Sequence, residues 1–144
     1  MASGMASGVA VSCIGAMIGK TTFVAFGGTT CKLKLMSTAA SETVDGTEIS
    51  GGSYSAGGIS KTVSSTFGAA GYSAGVASVT NSGDTFSQTN MPAVGGSGVV
   101  SASIWDAAGT PVRWWWGDLT SGVVTNLGDT LTFATSSVTV QLNV

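Results

Sequence analysis

Seven carboxylates are the residues of this chain best suited to acid–base work: Glu42, Asp45, Glu48, Asp84, Asp106, Asp118 and Asp129. Two carboxyl groups at the right separation suffice to hydrolyse a glycosidic bond, so residue type alone leaves glycosidase chemistry open. Placement argues against it. Most of the seven stand beside Gly in apparent turns, where Asp is favoured for the hydrogen bonds it makes to nearby backbone. The chain has no histidine, which removes Ser-His-Asp and Cys-His catalysis and every imidazole metal site. Cys13 and Cys31 are too few for a thiolate-only zinc site. They either form one disulfide or are two small buried apolar residues, as free cysteines commonly are. Gly95-Gly96-Ser97-Gly98 is followed by neither a helix nor a Lys, as a phosphate-binding loop would be.

Binding chemistry is better represented. Trp114, Trp115 and Trp116 are consecutive. On a strand, Trp114 and Trp116 share one face and Trp115 takes the other. One face belongs to the core, and the other sets an indole at the surface. Two readings follow. Tryptophan is enriched in protein interfaces, which favours core packing with a subunit contact. Tryptophan also stacks on sugars, which favours a glycan platform. Trp105 and Tyr54 join the three as interface or glycan candidates.

The elements that position these residues are mostly strands. Ser3 to Lys20 is the one good helix candidate: Met5, Val9, Cys13 and Met17 recur every fourth residue, which is helical periodicity. Ser3 or Ser7 is placed to cap it, and its four glycines weaken it. After that the period becomes two. Cys31, Leu33 and Leu35 alternate with Lys32 and Lys34, as in a half-buried strand. A strand is expected at Thr22 to Phe26, and two more at Val99 to Trp105 and Val112 to Trp116, joined by a turn from Asp106 to Pro111. Val138, Val140, Leu142 and Val144 alternate in one register and Leu131 and Phe133 in the other, so a turn or bulge falls near Ser136-Ser137. Asn81 to Phe86 echoes Asn126 to Leu131, each with a Gly-Asp turn that launches a strand. Calcium at these turns is disfavoured, since each offers one carboxylate and Ca²⁺ takes six to eight oxygens. The expected fold is mainly β: a compact antiparallel β-sandwich or barrel of short strands (residues 21–144, one domain) preceded by one short N-terminal helical arm (residues 1–20).

Composition narrows the partners. Only 8% of residues are charged, with a net charge of -2 and 43% hydrophobic, so the chain folds rather than staying disordered. The five basic residues, Lys20, Lys32, Lys34, Lys61 and Arg113, are scattered, and a phosphate-binding surface needs them clustered; nucleic acid is not an expected partner. The apolar run Val9 to Ile18 has no basic residue before it and is short of a bilayer's width, so neither an export signal nor a membrane span is expected. So little charge provides little to keep copies apart, and self-association into a homo-oligomer is expected.

From Leu33 to Leu142 the chain resembles a family of small phage proteins labelled tail-fibre proteins, common in phages of Actinobacteria. The family's strand ending in Leu-His-Thr-Ala corresponds to Lys32-Leu33-Lys34-Leu35-Met36-Ser37-Thr38-Ala39. Its Glu-Val-Ser-Gly-Gly-Ser-Tyr-Ala-Arg stretch corresponds to Glu48-Ile49-Ser50-Gly51-Gly52-Ser53-Tyr54-Ser55. Its Gly-Leu-Trp-Asp-Ala motif corresponds to Ser103-Ile104-Trp105-Asp106-Ala107, and its closing Gly-Asp-Thr-Leu-Thr-Phe to Gly128 to Phe133. The family's His and the Arg after its Tyr are absent here, so no role of theirs is carried over. The resemblance implies a virion protein; with the chemistry missing above, the expectation is a non-enzymatic structural protein on the virion surface, without cofactor or metal. A long fibre calls for heptads or a short repeat, and neither is visible. The expectation is therefore a capsid decoration or cement protein that sits on the major capsid protein, with a trimer as one form of the homo-oligomer. The alternative is a tail-fibre or tail-tip subunit that sits among tail proteins and binds host surface glycan.

Overall fold

A computed structural model describes residues 3–20 and 28–143. The strand expected at Thr22 to Phe26 lies outside the described residues. Among the described residues the elements run in the order β1 (Ser3–Met5), α1 (Ser7–Met17), β2 (Thr30–Met36), β3 (Ile59–Thr62), α2 (Val63–Thr66), β4 (Gly71–Ser73), β5 (Val76–Thr80), β6 (Phe86–Gln88), β7 (Val94–Asp106), β8 (Arg113–Thr125), β9 (Leu131–Phe133) and β10 (Thr139–Asn143). The chain is mainly β; among the described residues its sheets are antiparallel and do not form a closed barrel.

The central sheet has the order β1-β8-β7-β2-β3. β2 follows its alternation: Cys31, Leu33 and Leu35 are buried while Lys32 and Lys34 are half-exposed. The β7–β8 hairpin is the backbone of the sheet, and Asp106 shapes its turn. The Oδ1 atom of Asp106 accepts from Val112 N at 2.9 Å and Ala108 N at 3.3 Å. The hairpin is irregular, with register shifts between Val94 and Val99, Val99 and Ser101, and Ile104 and Trp105. Gly98 sits at one of them with φ +72, and a Cβ there would strike the Val123 carbonyl. Only glycine fits both the dihedral and the close approach.

Among the described residues a three-stranded sheet (β10-β5-β4) and a two-stranded sheet (β6-β9) accompany it. The two echoed Gly-Asp segments launch β6 and β9, and these strands pair with each other, Phe86 opposite Phe133. Ser136 adopts φ +64, and this bend lets β9 and β10 join different sheets, as their opposite registers require. Asn81, fully buried, holds the corner: its Nδ2 donates to Asp84 O and Ala134 O, and its Oδ1 accepts from Val138 N. Beside it the Lys61 ammonium, 2.6 Å from Asp84, holds the Asp84 carboxyl below its ordinary range. The main core gathers Leu33, Leu35, Tyr54, Phe86, Met91, Val99 and Ile104, with Val138 and Val140 packed against it.

The N-terminus departs from the expected single helix. Ser3–Met5 is an edge strand on β8, and α1 begins only at Ser7, with Ala6 at its N-cap and no side-chain cap. Gly4 is a weak helix residue, yet in β1 it lies opposite Trp116 and beside its indole. Tertiary fit overrides local period here. Neither cysteine is bonded. Cys31 is buried, which pushes its thiol pKa up, and Cys13 is half-buried. Neither described helix is long and apolar enough to cross a membrane.

Candidate functional site

The three consecutive tryptophans have three different fates, because β8 is bulged among them. Ile104 faces Trp115 and Trp105 faces Arg113, so Trp114 is the extra residue. It is 4% exposed, buried against Ala6 and Val9, and its Nε1 donates to Asp106 Oδ2 at 3.0 Å. Trp114 is therefore part of the seat of α1. Its neighbour Arg113 is also buried; it donates to Val44 O at 2.7 Å and Glu42 O at 3.0 Å, fixing the loop before β3 onto β8. Trp115 takes the inner side and packs on the main core. The Trp116 indole lies beside Gly4; a Cβ added there would sit 3.5 Å from its Nε1, in ordinary van der Waals contact.

Trp105 and Tyr54 belong to a different cluster. Trp105 Nε1 donates to Ser103 Oγ at 2.8 Å, and Lys34 Nζ lies 4.1 Å from the Trp105 ring centroid, within cation–π range. Lys34 pairs with Glu48 at 3.4 Å. Glu48 Oε1 accepts from the Tyr54 hydroxyl at 2.9 Å and from Gly57 N at 2.8 Å. Tyr54 is 2% exposed and its oxygen accepts from Leu35 N at 3.0 Å. Burial, and secondarily the Glu48 carboxylate, push its hydroxyl above the ordinary tyrosine range. As surface candidates, Tyr54 and Trp114 are corrected: both are inside, each with its polar atom hydrogen-bonded within the fold.

Trp115 and Trp116 do meet at a shared feature. A cavity of about 440 Å³ lies between β8 and β10, bounded by Leu33, Ala102 and Ile104 from the central sheet, Trp115 to Thr120 along β8, and Phe133 with Ser137 to Val140 opposite. A second cavity of about 330 Å³ shares Ile104, Trp115 and Val140 with the first and is otherwise lined mainly by apolar residues, including Val63, Phe67 and Val79. Trp115 thus borders both. The Nε1 atoms of Trp115 and Trp116 are buried and have no hydrogen-bond partner among the described residues. Asp118 is the one charged side chain lining either cavity among the described residues. A single carboxylate provides neither the pair a glycosidase needs nor a metal shell, and no metal-binding group of His, Cys, Asp and Glu is assembled among the described residues. What lines the cleft is an aromatic wall with Thr120, Ser137 and Thr139 beside it; the Ser137 hydroxyl already donates to Ala134 O at 2.6 Å. Asp118 and these hydroxyls carry no motif; they meet only because β8 and β10 face each other across the gap.

Residues 4–141 match the family described as Podophage GP4 fiber I protein gp80. The match covers nearly the whole chain, and the chain belongs to this family. No curated protein matches, and no solved structure matches. The chain is therefore a structural fibre protein of a bacteriophage. The expectation of a capsid decoration or cement protein finds no support in that family; the tail-fibre alternative is the nearer one. Heptads or short repeats are called for where one chain spans a fibre's length, so their absence does not by itself weigh against a fibre.

Proposed function

We propose that this chain is a repeated subunit of a tail fibre, that it associates with its own copies through α1, and that the fibre contacts host surface glycan. The observation that carries the fibre assignment is the family match over residues 4–141. Self-association is supported by α1. Val11, Ile14 and Met17 are 71%, 61% and 84% exposed, and no charged residue precedes Lys20. Helices apolar on every side are ordinarily buried, and one of 11 residues is marginal unless it packs on something. A second copy is the matching partner, because an uncharged apolar stripe complements itself across a symmetry axis. A trimer is one such arrangement. Glycan contact is supported by the aromatic cleft beside Trp115.

Immunolabelling of intact phage with an antibody to this chain, viewed by electron microscopy, tests the assignment. Label on fibres at the tail is expected. Label spread evenly over the head, with none at the tail, would overturn it.

A further inference from the structure

We infer that a groove beside α1 is the socket for α1 of a second copy, so that two copies pair antiparallel about a two-fold axis at Val11. The inference rests on the reading that α1 joins copies, and it says where the second helix lands. The groove lies between α1 and the turn before β8 and holds about 200 Å³. Gly8 and Ser12 form one wall, Val112 the other, and Val9 and Trp114 the floor. Small-molecule sites run from about 300 Å³ upward, so this groove is sized for a single side chain. Its polar atoms are already used. Ser12 Oγ donates to Gly8 O at 3.0 Å, and Trp114 Nε1 donates to Asp106. The Arg113 guanidinium is held by the Glu42 and Val44 carbonyls and by Asp45 at 3.3 Å. What remains is an apolar hollow, and an apolar side chain is what fills it.

Size and charge identify the partner. One face of an 11-residue helix, about 16 Å long and 10–12 Å across, exposes roughly 350 Å², under half of the ~800 Å² per partner that a stable interface buries. Contact between the two exposed stripes alone is therefore too small. It must spread onto the groove, onto Val112, and onto Val44 in the loop that Arg113 holds; these valines are 42% and 58% exposed. Gly8 and Ile14 stand symmetrically about Val11 in the sequence. A two-fold axis there sets Ile14 of each copy into the groove beside Gly8 of the other, the reciprocal fit that such an axis requires. Charge gives the same orientation. Lys20 stands past one end of α1 and makes no ion pair among the described residues. Glu42 and Asp45 lie at the other end, where Ser7 N donates to Glu42 O. Antiparallel helices bring Lys20 of each copy toward the acidic loop of the other, whereas a parallel three-fold bundle gathers like charges.

The test is light scattering of the full chain over a concentration series, with thermal melts beside it. Wild type is expected to approach twice the monomer mass. Gly8→Leu separates folding from pairing. A Cβ at Gly8 meets open space and Leu is the better helix former, so the melting temperature should hold or rise. The filled groove should nevertheless weaken association at least about tenfold, as an overfilled contact does. Lys20→Glu should weaken pairing, and Lys20→Glu with Glu42→Lys should recover it. Contact itself is read by mixing and oxidising two chains, Ile14→Cys and Val112→Cys, each also carrying Cys13→Ser; the mixed disulfide is expected. Undiminished association of Gly8→Leu, a trimer, no recovery by the paired charge reversal, or no mixed disulfide would each overturn the inference. The reading of α1 as the contact fails separately. An assembly that Ile14→Asp with Met17→Asp dissolves but Gly8→Leu leaves intact keeps α1 and loses the groove, whereas a wild-type chain that stays monomeric loses both.

Discussion

At the scale of single residues, the candidates divide by whether their polar atoms are already used. Tyr54 spends its hydroxyl on Glu48 and Leu35, and Trp114 spends its N–H on Asp106. Tyr54→Phe leaves the buried Leu35 N–H unpaired, so we expect it to lower unfolding free energy by about 1–3 kcal/mol at neutral pH, measured by urea titration. The pH dependence has a definite sign. The folded hydroxyl is raised above its ordinary value of 10.0, so its contribution is complete below pH 10 and is lost as pH rises from there through the folded value. Wild type should therefore show an alkaline loss of stability that the Phe variant lacks; parallel curves for the two proteins would refute this. A chain of consecutive tryptophans gives no hint of this division. Alternation alone puts Trp114 and Trp116 on one face, and the bulge that gives the three residues separate environments is set by the partner strand.

At the scale of elements, the long β7–β8 hairpin depends on backbone proximity at its irregular end. Gly98→Ala places a Cβ on the Val123 carbonyl at φ +72, whereas Gly95→Ala meets open space. We expect the first to destabilise by about 1–3 kcal/mol and the second to change stability by less than about 0.5 kcal/mol; equal thermal midpoints would contradict the reading. Strand chemistry was the legible part of this protein. β2 and the register change before β10 follow from alternation, and the β6 and β9 starts follow from the Gly-Asp turns. Their mutual pairing was not legible, because residues 86 and 133 meet through tertiary contact alone. The start of α1 was misplaced for a related reason: Met5 and Val9 keep helical spacing, but Met5 pairs with Trp115 across strands. The cleft was legible only through its tryptophans. Thr120, Ser137 and Thr139 are common residues at ordinary positions until two sheets oppose them.

At the scale of the whole molecule, low charge and an exposed apolar helix point the same way. The 8% charged composition leaves little repulsion between copies, and α1 presents Ile14 and Met17 outward. Ile14→Asp combined with Met17→Asp should convert the assembly to monomer, read as mass by light scattering behind a sizing column, while the β spectrum persists. A wild-type protein that is monomeric at high concentration would remove α1 as the contact.

The placement of β1 has a consequence for how the chain reaches this state. Ser3 pairs with Gly117 and Met5 with Trp115, so the first strand of the central sheet finds its partner only after most of the polypeptide exists. Such distant pairings make folding slow, on the scale of milliseconds to seconds, because a long loop must close before any contact rewards it. During synthesis Ser3 to Gly19 emerge well before β8, without a charged side chain and with no sheet to join. The seat of α1 on Trp114 is completed at the same late moment, since Ala6, Val9 and Trp114 form one cluster. The helix that would join copies is thus not presented in its folded orientation until the subunit beneath it is nearly complete, which orders assembly after folding.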